Sequence, residues 1–107
     1  MNKKIFAVLS ILKETLLKEY GNDFLRLYLF GSQLNSYHPE SDCDIMIIFK
    51  KTKDWREIKK ITNLVIDIGI ENDIVFNSKI YSENQLKKPI YREIPFIQNA
   101  LHTGVIV

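Results

Sequence analysis

From Cys43 to Phe49 the chain reads Cys-Asp-Ile-Met-Ile-Ile-Phe, and every residue beyond Asp44 is apolar. A strand sends successive side chains to opposite faces, so a run with no polar position after its start must be covered on both sides. That places residues 43–49 centrally in a sheet with other elements packed above and below. Residues 25–30 read as the strand before it. Residues 3–20 carry Ile5, Val8, Leu9, Leu12, Leu16 and Leu17 at helical spacing, with Lys and Glu between them, and Gly21 supplies a stop. Residues 54–71 read as a second helix, capped by Asp54 or Thr52, with an apolar stripe of Ile58, Ile61, Val65 and Ile68. The β-branched stretch Leu64 to Ile70 within it also has the composition of a strand. Residues 73–80 read as the third strand. A last helix is expected from Tyr91 to His102, with Pro95 marking its first turn or a kink and Gly104 ending it. The order αββαβα predicts an α+β fold, a small mixed sheet packed with helices.

A chain of 107 residues is one domain by size, and 46% hydrophobic residues is enough for a core. The net charge of +2 is too small to argue for a nucleic-acid partner. Cys43 is the only cysteine, which excludes an internal disulfide and fits a reducing compartment. Lys13 and Glu14 break the N-terminal apolar stretch, so it reads as neither a signal peptide nor a membrane span. The expectation is a cytoplasmic protein.

The chemistry gathers between residues 31 and 44. Gly31 and Ser32 end the first apolar run; Asp42, Cys43 and Asp44 open the next. On a strand Asp42 and Asp44 project together while Cys43 faces away. Two adjacent carboxylates repel and resist burial, and a divalent cation resolves the conflict. Mg²⁺ favours carboxylate oxygens together with substrate phosphates. A Gly-Ser turn offers backbone N–H groups and a hydroxyl to those phosphates. The bland alternatives are an exposed acidic turn for the aspartates and a helix N-cap for Ser32. Taken together the features point to transfer of a nucleotide from a metal-bound triphosphate.

Gly31-Ser32, a loop, and Asp42-x-Asp44 between two apolar strands resemble the minimal nucleotidyltransferases of the DNA polymerase β-like superfamily. The resemblance implies a palm-like nucleotidyltransferase fold. It implies Mg²⁺ or Mn²⁺ held by Asp42 and Asp44, with Gly31 and Ser32 at the phosphates of a nucleoside triphosphate, ATP being the first choice. It also implies a third carboxylate on a following strand, a metal ligand that helps deprotonate the incoming hydroxyl. Asp73, in Asn72-Asp73-Ile74-Val75-Phe76, fits that place, with Asp67 and Glu71 as competitors. Small stand-alone relatives act as the antitoxin half of a two-protein module, adding AMP to a helical HEPN-type toxin, so a HEPN-type partner is expected. Lys50, Lys51, Lys53, Arg56, Lys59 and Lys60 form a basic stretch that could steer triphosphate or an acidic partner. Trp55 and Tyr91 are candidates to stack on a base or simply to pack. The competing reading from a different class is a non-catalytic module that neutralises or scaffolds a partner by contact alone.

Overall fold

In a computed structural model that describes residues 3–31 and 42–107, four strands form one mixed sheet in the order β3-β2-β1-β4. The first helix, α1, spans Lys3–Tyr20 and ends at Gly21, whose φ of 55° is the left-handed conformation glycine adopts without strain. A short 3₁₀ turn, Gly21–Asp23, leads into β1, Phe24–Phe30. β2, Cys43–Phe49, runs antiparallel to β1, with Phe30 opposite Asp44 and Phe24 opposite Phe49. Helix α2, Trp55–Glu71, then carries the chain across to β3, Phe76–Ser82, which pairs parallel to β2 from Cys43↔Phe76 to Phe49↔Ser82. A parallel neighbour needs such a crossover, because a tight hairpin can only reverse direction.

Alternation along the central strands sorts the apolar residues into two cores. Leu27, Leu29, Cys43, Ile45, Ile47 and Phe49 meet α1 and α2 on one face. Tyr28, Phe30, Met46 and Ile48 meet Leu86, Ile97 and Ala100 on the other. Phe24 shares the first face with Leu27 although the two differ in parity. A register irregularity between Phe24 and Arg26 absorbs the extra residue, as a bulge does. The central position expected for residues 43–49 is therefore observed, with both faces covered.

Asp54 is the cap of α2, its side chain accepting from the Glu57 N–H at 2.8 Å. Thr52, the alternative cap, instead shares a 2.7 Å hydrogen bond with the Ser82 hydroxyl. The stretch from Leu64 to Ile70 is helical throughout, since its apolar residues Val65 and Gly69 reach the core at helical spacing.

Two sequence expectations are corrected here. The third strand begins at Phe76, not at residue 73, because α2 ends in a turn that occupies Asn72 and Asp73. The expected last helix, Tyr91 to His102, is split in two, α4, Pro89–Arg92, and α5, Pro95–Thr103, the latter starting at Pro95 as expected, and a further short helix, α3, Glu83–Lys87, precedes them. Pro89 and Pro95 each stand at the start of a helix, where a missing N–H costs nothing, and each forces the preceding residue out of helical conformation. After Gly104 a two-residue strand β4, Val105–Ile106, pairs with Tyr28 and Leu29, an element that periodicity cannot reveal at this length. Among the described residues, no helix is long and apolar enough to cross a membrane.

Candidate active site

The site lies where β1 ends and β2 begins, on the sheet face that α3 and α5 cover further along. Asp44 shares that face with Met46 and Ile48, while Cys43 turns into the opposite core. Asp42 is exposed just before β2, and Asp44, the second residue of that strand, is half-buried. This end of β2 is anchored to the third strand by the Cys43 N–H, which donates to the Val75 carbonyl at 2.7 Å.

Asp44 is held on two sides. The Asn77 amide nitrogen donates to Oδ1 at 3.0 Å, from the position directly beside Asp44 in the parallel register. Oδ2 lies against Gly31, whose φ is 81°. A Cβ at residue 31 would run into that oxygen, so glycine is required twice, by the backbone angle and by the close approach. Gly31 and Asp44, distant in sequence, are thus brought together as expected.

Cys43 is 1% exposed, and burial first and the neighbouring Asp44 charge second push its thiol up to about 12. A thiol held protonated in this way is a packing group and no nucleophile.

Asp73 is placed differently. It stands exposed in the turn after α2 with a φ of 57°. Its N–H donates to Ile70 O at 3.4 Å and the Ile74 N–H to Gly69 O at 2.8 Å. That pair of bonds with a left-handed residue between them is a Schellman stop, and aspartate tolerates the conformation better than most residues. Asp67 and Glu71, the competing carboxylates, are exposed on α2. Among the described residues no three His, Cys, Asp or Glu side chains gather as a metal-binding group. The strand neighbour of Asp44 is an amide, Asn77, which sequence reasoning passed over; counting alternate residues from a strand start at Phe76 would have found it. Two residues further along β3, Lys79 holds its ammonium 5.2 Å over the Phe96 ring. Ser32 and the loop to residue 41 lie outside the described residues.

The basic stretch is elsewhere. Lys50, Lys51 and Lys53 follow the far end of β2, about 20 Å from Asp44 at the rise of an extended strand. Lys53 is no solvated lysine: its side chain is 7% exposed, it pairs with Asp23, and its ammonium sits 4.8 Å over Phe49 and 5.5 Å over Tyr20. Trp55 is 69% exposed and stacks with Arg56 at 5.2 Å, while Tyr91 meets Tyr81 edge-on at 5.9 Å.

The mixed four-stranded sheet with helices on both faces is an α+β fold of the nucleotidyltransferase class. The sequence matches the family Polymerase beta, Nucleotidyltransferase over residues 12–105, and the chain belongs to it. No curated protein sequence matches it closely enough to count as a relative. Among solved structures it is similar to a crystal structure of a mutant of the toxin–antitoxin pair MntA–HpeT, with a TM-score of 0.60 and 17% identity, over 92% of this chain and 70% of that one. At that identity the likeness speaks for the fold.

Proposed function

We propose that this chain transfers a nucleoside monophosphate, AMP from ATP, to a hydroxyl group on a partner protein, and that the partner is a HEPN-type toxin silenced by the modification. The observation that carries the reading is the Asp44 carboxylate at the start of β2, set against Gly31, with Asp42 exposed two residues before it. Family membership supports the reaction class. The similar MntA–HpeT structure was mutated at two aspartates two positions apart, both to glutamate, which is the spacing of Asp42 and Asp44.

Two exposed or half-exposed carboxylates backed by a side-chain-free residue fit a hard cation such as Mg²⁺ or Mn²⁺, which takes oxygen ligands and leaves room for phosphates. When bound, the cation supplies charge neutralisation at the triphosphate and lowers the pKa of the attacking hydroxyl. Asp42 and Asp44 would hold it. The absent Gly31 side chain leaves space at the carboxylate, and Ser32 would add a hydroxyl toward the phosphates. Lys79, on the same sheet face, offers a cation to the phosphate tail. The acceptor hydroxyl gives its proton to water as its oxygen bonds to the α-phosphorus, the bond from that phosphorus to the bridging oxygen breaks, and pyrophosphate leaves. Asp73, the proposed third ligand, stands exposed in the turn after α2 and joins no metal-binding group with Asp42 and Asp44 among the described residues.

The second reading, a partner-binding module without catalysis, is favoured by one observation: no third carboxylate joins Asp42 and Asp44 among the described residues. Intact mass of a co-incubated toxin partner, with ATP and Mg²⁺, separates the two. Enzymatic silencing predicts a gain of AMP units that Asp42→Asn abolishes. A tight complex with no mass change, indifferent to Asp42→Asn, establishes the binding module instead.

A further inference from the structure

Asn77 is the residue that this arrangement singles out beyond the reading above. It faces Asp44 across the parallel β2–β3 pair, its side chain is exposed, and its amide donates to Asp44 Oδ1 at 3.0 Å. We infer that Asn77 is a positioning residue of the metal site, and that it sets a neutral amide, not a further carboxylate, beside Asp44, so that the cation binds firmly only together with triphosphate.

The argument runs through charge and geometry. A carboxylate near the end of a strand has free rotation about its terminal torsion, and one amide hydrogen bond removes it. With Oδ1 engaged by Asn77 and Oδ2 set beside Gly31, Asp44 presents a single orientation before any cation arrives. A neutral amide in that position does this without adding to the repulsion between Asp42 and Asp44. A third carboxylate there would not donate at all, and would repel until a cation bridged it. Affinity for a hard cation rises with the number of charged ligands, and Mg²⁺ held by only one or two carboxylates completes its shell with water and phosphate. The site is therefore built to stay largely empty without nucleotide and to fill when triphosphate contributes its own oxygens.

The inference rests on Asp42 and Asp44 being the metal ligands, and the test separates the two claims. Mn²⁺ binding is measured by titration calorimetry or by the loss of the free-ion paramagnetic signal, with and without ATP, on the whole chain. The variants are Asn77→Asp, Asn77→Ala and Asp42→Asn. Asn77→Asp should bind Mn²⁺ alone about tenfold more tightly than the unmodified protein, through the added charged ligand. The same variant should melt lower without metal, through repulsion at Asp44. A side chain with a merely structural role would give the melting loss and no gain in metal affinity. Asn77→Ala, which removes only exposed atoms, should weaken Mn²⁺–ATP binding several-fold while its metal-free melting temperature stays close to that of the parent. If both Asn77 variants match the parent in Mn²⁺ affinity while Asp42→Asn abolishes binding, Asn77 has no part in the site and the inference is overturned, with the metal site intact. If Asp42→Asn binds Mn²⁺–ATP as the parent does, the ligand assignment itself fails and this inference fails with it.

Discussion

Gly31 and Gly21 differ in one respect that makes them a controlled pair. Both have positive φ, 81° and 55°, but a Cβ at Gly21 meets nothing within 4 Å, whereas one at Gly31 strikes the Asp44 carboxylate. Gly21→Ala should therefore cost the backbone strain alone, about 1 kcal/mol. Gly31→Ala should cost about 1–3 kcal/mol and also turn Asp44 out of place. Calorimetric melting reads the first effect in both variants. Mn²⁺–ATP binding should fall in Gly31→Ala only, and equal binding in the two would show that the contact with Asp44 has no bearing on the site. The spacing of Gly31 from Asp42 and Asp44 is legible in the sequence as a candidate, because glycine ahead of paired carboxylates is a local pattern. That Oδ2 of Asp44 is the atom against the glycine is a property of the antiparallel register, which sets Phe30 opposite Asp44.

At the scale of elements, the end of α2 decides where β3 begins and hence which residue stands beside Asp44. Gly69 lies in the last turn of the helix, and a Cβ there would collide with the Ile74 carbonyl that folds back over it. Alanine normally gains about 1 kcal/mol over glycine within a helix. Gly69→Ala should nonetheless destabilise the protein, since the collision is with backbone and cannot be relieved by a rotamer. Asp73→Gly should do the opposite and raise stability by up to about 1 kcal/mol, since the left-handed φ of 57° suits glycine better. Chemical denaturation of both variants checks the pair, and a stabilised Gly69→Ala would refute the tight turn. The sequence cannot show this stop directly. Asn72-Asp73-Ile74-Val75 has the look of a strand start after a polar pair, and only the bonds from Ile74 to Gly69 and from Asp73 to Ile70 reveal that the first residues close the helix instead. With β3 starting at Phe76, the parallel register sets Asn77 beside Asp44.

Across the whole molecule, the end of the sheet away from the carboxylates is tied together by Asp23 and Lys53. Asp23 precedes β1 and accepts the Lys51 N–H at 3.0 Å, and its carboxylate pairs with the enclosed Lys53 ammonium, which also lies 3.7 Å from Glu57 on α2. Burial by itself raises the Asp23 carboxyl. The Lys53 hydrogen bond, the Lys51 backbone N–H and both lysine charges outweigh it and hold the carboxyl below its ordinary range. A group with a depressed folded pKa contributes its stability above the unfolded value, about 3.9, and loses it as pH falls through the folded one. The melting temperature should thus drop on acidification below about pH 4, and Asp23→Asn should melt lower at pH 7 while losing less on going to acid. A variant with an unchanged acid limb would place the titrating group elsewhere.

This assignment of Lys53 also removes the basic stretch from the site's vicinity: residues adjacent to β2 in sequence are at its opposite end in space. The sequence by itself determined the elements of helical and strand period and the covered central strand, because each follows from the pitch of a single segment. Only the tertiary structure decided the strand order, the short final strand, the partner of Asp44 and the enclosure of Lys53. Those depend on register between segments far apart in the chain, and register is set by how two faces of one sheet are filled, which no single segment encodes.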